Sequence, residues 1–398
     1  HGIKFGRQWI LFLTVAAIFL ALKAANTQYS VSDENTYFKM GQLVAEGHVP
    51  YRDFFFAHTP LQIYIYAAVF KIFGFNLFLL KMLSAVAMIV AAAFVFAAVK
   101  EKLGPKIATA ASMLFLFSYG TLLFSNFPTG VDFAIAFIAA AFYFFMRKSF
   151  LASGILLGAA AATAQLSLLI FIILAAAAAF ILKDGKATAR LMLGFVIVFG
   201  AVSVIFLAAA KGEFIKQVLT YHLNKPGEDV DKAAVFLRVV KTNWLPFAAA
   251  AAAVISRHKT KIGLFIPLVV AAVYIAAVPL IKSSFNYYML YAFPFLAIAG
   301  GYGLLSAYEL LAEKTRLRHG IAAAAIAAII VLASFSAARQ FGSYDFQDFP
   351  IADEAAGYIR ENSQEGQTIF GDDSTTPLIS LLSRREIALN YVDNNAMR

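Results

Sequence analysis

The feature that most constrains this chain is a series of long apolar segments with few or no charged residues. Segments 78–98, 166–182 and 189–210 each run for about 17 to 22 residues, close to the roughly 20 residues that an α-helix needs to cross a bilayer. Only 14% of the 398 residues are charged, against about 25% in an ordinary soluble protein. The sequence therefore predicts an all-α polytopic membrane protein.

Basic residues occur in short clusters between the apolar segments, at every second gap, and this arrangement predicts the topology. Gaps rich in Lys and Arg face the cytoplasm, so the basic N-terminus is predicted to be cytoplasmic. With an odd number of spans, the C-terminus then lies outside the cell. The net charge of +10 is thus a topology signal and does not indicate nucleic-acid binding. The clusters are Lys4 and Arg7; Lys100, Lys102 and Lys106; Arg147 and Lys148; Lys183, Lys186 and Arg190; Arg257, Lys259 and Lys261; Lys314, Arg316 and Arg318.

Combining apolar length with charge gives about eleven transmembrane helices in an integral protein of the cell membrane. The first segment also has the basic start and small residues of a signal peptide, but the topology requires it as a retained helix. The absence of cysteine excludes disulfides and thiolate metal sites. The predicted spans are 9–25, 78–98, 107–124, 129–146, 150–165, 166–182, 190–210, 243–256, 263–281, 286–311 and 320–338.

Three segments outside the spans are too long to be simple turns, and long loops usually carry function. A catalytic loop is expected at about 26–77 and a second external loop at about 211–243, both within a transmembrane domain 1–338. Residues 339–398 form a small external segment of mixed α/β pattern. Because about sixty residues bury little surface alone, this tail is expected to dock on the loops. The sequence leaves open whether the chain is cut short after Arg398.

The first loop opens with an acidic pair, Asp33-Glu34. Ser32 suits a helix N-cap, and positions 37, 38, 40 and 44 give the helix one apolar face. Acidic residues in a first turn often only complement the helix dipole. A carboxylate held there by backbone donors can also stay ionised and accept a proton.

Further candidates follow in the strings Pro50-Tyr51-Arg52-Asp53 and His58-Thr59-Pro60. Arg52 either pairs with Asp53 or a lipid headgroup, or grips a substrate phosphate as a planar donor. His58 is either a substrate contact or a structural hydrogen-bonding group. In the second loop, the Pro226-Gly227 turn lies in a charge run typical of a mobile segment whose flanks could cover a cavity. His222 on that flank is a contact to acceptor or metal, or a structural residue.

Together these pieces resemble the glycosyltransferase C superfamily, especially its protein-mannosyltransferase-like (family 39) and aminoarabinose-transferase-like members. The matching strings are Asp33-Glu34, Gly47-His48-Val49-Pro50-Tyr51-Arg52-Asp53-Phe54-Phe55, His58-Thr59-Pro60-Leu61, Phe73-Gly74, and Asn286-Tyr287-Tyr288-Met289-Leu290 leading to Pro294.

The resemblance implies a membrane enzyme that transfers a sugar, with inversion, from a polyprenyl-phosphate donor to a lipid, glycan or protein acceptor outside the cell. It assigns Asp33 as general base with Glu34 as its partner, and by position it makes Arg52, Lys282 and Tyr287 candidates for the donor phosphate. Asp132 matches an acidic position that helps to bind a divalent cation in such enzymes, or simply starts a helix. Asp33, Glu34 and Asp132 could thus hold Mg²⁺ or Mn²⁺.

Two other functions remain open: a transporter or lipid-carrier flippase, and a non-catalytic scaffold. A transporter would carry ionisable groups or broken helices along a substrate path. Lys81 and Gln165 are the main polar exceptions within the predicted spans.

Overall fold

A computed structural model describes residues 7–225, 231–254, 262–282, 285–314 and 319–393. Two of the basic clusters lie largely outside these residues, at Arg257, Lys259 and Lys261 and at Arg316 and Arg318. The predicted turn at Pro226-Gly227 also lies outside them.

Each of the eleven predicted spans is helical, and the all-α polytopic membrane fold is confirmed. Within the described residues, five helices are long and apolar enough to cross a membrane, judged by length and composition, and the others are shorter apolar helices. The helices at these positions are Arg7–Ala24, Leu77–Leu103, Pro105–Leu116 with Tyr119–Phe124, Val131–Met146, Phe150–Thr163, Ser167–Ala176 with Ala177–Ile181, Gly185–Phe195 with Val196–Gly200 and Ala201–Ala210, Trp244–Val254, Ile262–Ala277, Asn286–Ala292 with Phe293–Lys314, and His319–Gly342.

Two predicted spans differ in detail from the observed helices. Segment 107–124 breaks at Ser118, whose hydroxyl accepts a hydrogen bond from Thr121 N and so begins a new short helix. Segment 286–311 opens as a 3₁₀ turn over Asn286–Ala292 before it becomes α-helical. Such breaks depend on capping and local packing, which hydropathy alone does not record.

Small residues let the membrane helices approach closely. Gly154 faces the backbone of Leu191, and Gly194 faces the backbone of Leu151, so Phe150–Thr163 and Gly185–Phe195 meet almost backbone to backbone. Gly303 faces the carbonyl of Ala249 in the same way and seats the Ala-rich helix Trp244–Val254 on Phe293–Lys314. Contacts of this kind are typical of helices in lipid, where dispersion contacts replace the hydrophobic effect as the driving force.

The long segments 26–76, 211–225, 231–243 and 343–393 are together called the loop layer here, and the first of them contacts both 211–225 and the tail. The described tail has the mixed α/β pattern that was predicted, with a 3₁₀ turn over Ala388–Asn390 directly after its last strand. The elements of the layer are helices Glu34–Ala45, Leu61–Phe73, Gly212–Ile215, Lys216–Thr220, Tyr221–Asn224, Lys232–Thr242, Ala352–Glu361 and Thr376–Ser383, and the parallel strands Thr368–Ile369 and Glu386–Ile387.

The predicted topology places the whole loop layer outside the cell, and the absence of cysteine makes this testable. Single cysteines at the exposed positions Glu46 and Gln364 should react with an impermeant thiol reagent in intact cells. A cysteine at exposed Lys102, beyond the opposite end of its span, should react only after permeabilisation. The reverse pattern would contradict the topology.

Candidate functional site

The helix that carries the acidic pair begins one residue later than predicted. Asp33 occupies the N-cap position, and the helix runs over Glu34–Ala45. The hydroxyl of Ser32, which was predicted to cap it, is buried without a hydrogen-bond partner among the described residues. Nine of the twelve helix residues are buried, so this is a central helix of the loop layer and not one with a single apolar face.

Glu34 is locked by an ion pair to the second span. Its Oε1 atom lies 2.9 Å from Lys81 Nζ and accepts a hydrogen bond of 2.9 Å from the Ser30 hydroxyl. The Glu34 and Lys81 side chains are 0% and 1% exposed. Removing one partner of such a buried pair strongly destabilises the folded protein, because the other charge is left uncompensated. The start of the helix, and with it Asp33, is therefore fixed to the membrane domain.

The tail docks on the same helix, as predicted. The Asn35 amide donates to the carbonyls of Ser30 and Ser374 at 2.8 and 2.6 Å, and the Thr36 hydroxyl donates to the Asp373 carbonyl. One turn further on, Lys39 pairs with Glu386 at 2.9 Å. These bonds hold the loop that contains Asp373 beside the N-terminus of the helix.

The second loop packs on the first loop through His222 and Gln217. His222 Nε2 lies 2.6 Å from the Ala57 carbonyl and 2.9 Å from Gln165 Nε2, and the His58 and His222 rings are 5.6 Å apart. Nearby, the Gln217 side chain accepts from Phe56 N at 2.9 Å. As predicted for the flanks of this loop, Tyr221, His222 and Lys225 on its described N-terminal flank line a cavity, which is described next.

Asp33 opens into a cavity of about 410 Å³, here called the main cavity. Four segments distant in sequence form it, and it combines acidic, basic and aromatic side chains. Its described lining is Asp33, Thr36, Tyr37, Ala57, His58, Tyr221, His222, Lys225, Ile281, Lys282, Phe285, Tyr287, Tyr288, Asp373 and Asp393.

The surroundings of Asp33 make it a stronger base than an ordinary aspartate. Burial by the surrounding protein, followed by the charge of Asp373, raises the pKa of Asp33, while Lys225 partly opposes the rise. A carboxylate with a raised pKa binds a proton more tightly once it has taken one. It is also accessible within the cavity, as a group that must meet substrate requires.

His58 is neutral at physiological pH. Burial, followed by the nearby His222 ring, lowers the pKa of His58 to about 4. Burial also lowers the pKa of His222. Both imidazoles can therefore hydrogen-bond a ligand, but the positive charge on the described lining comes from Lys225 and Lys282.

The structure brings together Asp33, His58, Lys282 and Tyr287 of the predicted site residues, but not Arg52. The guanidinium of Arg52 holds the Asp53 carboxylate through two bonds of 2.8 and 2.9 Å and is 55% exposed. These bonds lower the pKa of Asp53 to about 2. Of the two roles open to Arg52, the structure thus shows the pair with Asp53, next to a separate surface cavity.

The predicted cation site is not assembled. One carboxylate oxygen of Glu34 pairs with Lys81 and accepts a hydrogen bond from the Ser30 hydroxyl. Asp132 is 2% exposed in the first turn of Val131–Met146, as expected of a helix-starting residue, and it does not line the main cavity. Within the described ranges no three His, Cys, Asp or Glu side chains form a group that could hold a metal ion.

Three charged residues of the main cavity escaped the sequence analysis: Lys225, Asp373 and Asp393. Asp373 and Asp393 lie in the tail, more than 300 residues from Asp33. The cluster Gly371-Asp372-Asp373 reads as an ordinary turn, since Asp372 accepts bonds from Ser374 N and Thr375 N. A local sequence signal for their role is therefore lacking.

Solved structures share this fold, although no protein-family model and no curated protein matches the sequence. ArnT from Cupriavidus metallidurans bound to undecaprenyl phosphate superimposes with a TM-score of 0.73 at 13% identity, over 95% of this chain and 85% of ArnT. An Archaeoglobus fulgidus oligosaccharyltransferase, in a complex with Zn and sulfate, gives 0.63 at 14% identity. The match spans 95% of this chain but 62% of that protein. The predicted resemblance to glycosyltransferase C enzymes is confirmed at the level of fold.

The buried pair of Lys81 and Glu34 predicts a marked response to mutation. Lys81→Met should lower the free energy of unfolding by about 3–5 kcal/mol, because the Glu34 carboxylate stays buried without its partner. Lys81→Met combined with Glu34→Leu should recover much of this loss. Thermal unfolding of the purified protein in detergent measures both.

Exposed Lys102, on the same helix, provides the matched control, and Lys102→Met should leave the unfolding temperature nearly unchanged. A double variant no more stable than Lys81→Met alone would show that the pair is not the source of the effect.

Proposed function

We propose that this protein is a membrane glycosyltransferase that transfers a sugar from a polyprenyl-phosphate donor to an acceptor hydroxyl on the external face, with inversion. The observation that carries the proposal is the main cavity itself. In a fold shared with ArnT, it sets one carboxylate of raised pKa beside two lysines and several tyrosines. This is the combination that such a transfer needs: a base for the acceptor and positive charge for the leaving phosphate.

In the proposed step Asp33 takes the proton from the acceptor hydroxyl as its oxygen attacks the anomeric carbon. The new C–O bond forms on the face opposite the bond to phosphate, so the anomeric configuration inverts. The electron pair of the broken C–O bond stays on the polyprenyl phosphate, which leaves as an anion. A well-placed base contributes about 10²–10⁴ to the rate of such a reaction.

Lys225 and Lys282 are the proposed phosphate contacts, replacing Arg52 in that role. They come from two segments distant in sequence that both line the main cavity, and Lys282 Nζ lies 3.4 Å from the Leu223 carbonyl, two residues before Lys225. The Tyr287 and Tyr288 side chains and the neutral His58 ring add hydrogen-bonding groups. Positive charge held in place where negative charge develops lowers the barrier without reorganisation.

The neighbours in the fold suggest the class of substrates. ArnT is seen with undecaprenyl phosphate, and the archaeal oligosaccharyltransferase is seen tethered to an acceptor peptide. We therefore propose a polyprenyl-phosphate sugar as donor, membrane-embedded at its lipid end. In this scheme residues 1–338 form the catalytic membrane domain, and the tail is a small lobe that completes the site.

Asp33→Asn tests the proposed base. The amide keeps the size of the side chain but cannot accept the proton, so turnover should fall by two orders of magnitude or more. Wild-type activity should fall as the pH drops through the pKa of Asp33, with a midpoint above the value of about 3.9 for an ordinary aspartate. The measurement is transfer from a panel of polyprenyl-phosphate sugars, as a function of pH.

Glu46→Gln, an exposed residue at the opposite end of the same helix, is the control and should keep wild-type turnover. Near-normal turnover of a folded Asp33→Asn protein would remove Asp33 from catalysis.

The phosphate contacts predict a contrast between two basic residues. Lys282→Ala should raise the donor KM by about tenfold to a hundredfold, because a hydrogen bond to a charged group is worth about 1.5–3 kcal/mol. Arg52→Ala should leave the donor KM almost unchanged, because Arg52 is engaged by Asp53 outside the main cavity. Initial rates at varied donor concentration distinguish the two, and a larger effect at Arg52 would restore it as the phosphate ligand.

A further inference from the structure

An apolar groove lies at the end of the membrane domain opposite the loop layer, away from the proposed catalytic site. It has a volume of about 620 Å³ and is here called the far groove. Leu103, at the C-terminal end of the helix Leu77–Leu103, lines it, whereas Lys81 meets Glu34 near the N-terminal end of that helix. With a rise of about 1.5 Å per residue, Leu103 lies about 33 Å along the helix from Lys81.

The last span is loosely packed where it borders the far groove. Of the five described helices long enough to cross a membrane, His319–Gly342 is the least buried. Its residues Ala323, Ala327 and Val331 line the groove, and all three are exposed. Because residues four apart adjoin on a helix, they form one face, which is directed towards the groove but is not covered by the bundle. The other walls come from Arg7–Ala24, Pro105–Leu116 and Phe293–Lys314.

Contacts on either side of the far groove hold the last span in place. Towards the loop layer, Ala337 and Phe341 are buried, and Lys23 Nζ lies 4.2 Å from the centroid of the Phe341 ring. At the other end of the span, the Tyr308 hydroxyl and His319 Nδ1 are 3.1 Å apart. The gap between these contacts is therefore part of the fold and not the result of a detached helix.

The size of the far groove limits what can fill it. An α-helix is about 10 Å across with a pitch of about 5.4 Å, so a volume of about 620 Å³ holds only about one and a half turns of helix. A helix of a second copy or of another protein is thus too large to enter it. An acyl chain is narrow and flexible, and hydrocarbon is what surrounds membrane-spanning helices in a bilayer.

Lys106 is the only charged residue in the described lining of the far groove. It lies in the first turn of Pro105–Leu116, where the positive end of the helix dipole disfavours a cation. It is exposed and forms no ion pair with a described residue. An anion beside Lys106 would relieve this excess positive charge. Basic pockets between membrane helices on the cytoplasmic side are typical binding sites for anionic lipid headgroups.

Acidic residues near this end of the membrane domain do not line the far groove. Glu101 pairs with Arg147, with a distance of 2.5 Å between its Oε1 atom and the guanidinium. Glu309 and Glu313 lie on Phe293–Lys314 but outside the described lining. The charge that the described lining presents to the groove is therefore positive.

We propose that the far groove binds an anionic phospholipid of the bilayer, with one acyl chain between the last span and the bundle and the phosphate beside Lys106. The predicted topology places this headgroup in the cytoplasmic leaflet. An ammonium group binds phosphate through charge-assisted hydrogen bonds, and the chain covers the exposed face of His319–Gly342. The lipid is a structural ligand that takes no part in the proposed transfer, and it stabilises the folded protein because it binds the folded state alone.

Native mass spectrometry tests the class of lipid, with the detergent-extracted protein supplied with phosphatidylglycerol or phosphatidylcholine. The wild type should retain one phosphatidylglycerol and bind it at least tenfold more tightly than phosphatidylcholine. Lys106→Gln should weaken the binding of phosphatidylglycerol at least fivefold, because the amide carries no charge. Lys102→Gln removes an exposed lysine that does not line the groove, and this control should change the binding less than twofold.

A filled groove tests the position of the site. Ala327→Trp places a large ring in the far groove, so it should abolish the retention of phosphatidylglycerol and the rise in unfolding temperature that this lipid gives the wild type. Ala328→Trp, on the same helix and outside the described lining, is the matched control and should keep both. Both positions are exposed, so both variants should fold.

Four outcomes would overturn the proposal. Equal binding of phosphatidylcholine, or unchanged binding of phosphatidylglycerol by Lys106→Gln, would remove the anionic headgroup. Unchanged retention by Ala327→Trp would place the lipid elsewhere. A lipid-free dimer that dissociates in Ala327→Trp would assign the groove to a second copy of the chain. Retention of polyprenyl phosphate in place of phosphatidylglycerol would replace the phospholipid with a carrier lipid.

Discussion

The site depends on one buried ion pair, between Lys81 in the second span and Glu34 at the start of the first-loop helix. A charged side chain in the interior must be paired, because desolvation without a partner costs several kcal/mol. The pairing therefore leaves the helix little freedom to slide or rotate against the membrane domain. Since Asp33 precedes Glu34 directly, fixing the Glu34 carboxylate also fixes the position of Asp33 at the main cavity.

The two polar side chains singled out within the predicted spans both contact the loop layer. Lys81 contacts Glu34, and Gln165 contacts His222 and the Ala57 carbonyl. Both of these polar side chains point to the loop layer and act as its anchors. A transporter would be expected to place such groups along a path through the membrane. The observed contacts of Lys81 and Gln165 are instead with the loop layer.

The loop layer shows how a small tail can shape the main cavity. The tail docks on the first loop through backbone hydrogen bonds to residues 29 and 31 and through contacts with the side chains of residues 35, 36 and 39. Docking brings Asp373 next to Asp33, where its charge helps to raise the pKa of that carboxylate. It also places the Phe346 ring 5.8 Å from Phe127 and 5.1 Å from Tyr344. The tail therefore affects both the chemistry and the shape of the site.

The sequence by itself determined the membrane fold and indicated the first-loop residues of the main cavity. Apolar length is a local property, so each predicted span appears as a helix. Asp33 and His58, which the first-loop motif singled out, both line the main cavity. Only the tertiary structure decided which distant groups meet. It pairs Glu34 with Lys81 where a metal site was predicted, pairs Arg52 with Asp53, and brings Lys225 and Asp373 to Asp33. The physical reason is that the hydrophobicity of a span is the sum of its own residues and can be taken directly from the sequence. Which charged groups meet depends instead on contacts between residues hundreds of positions apart.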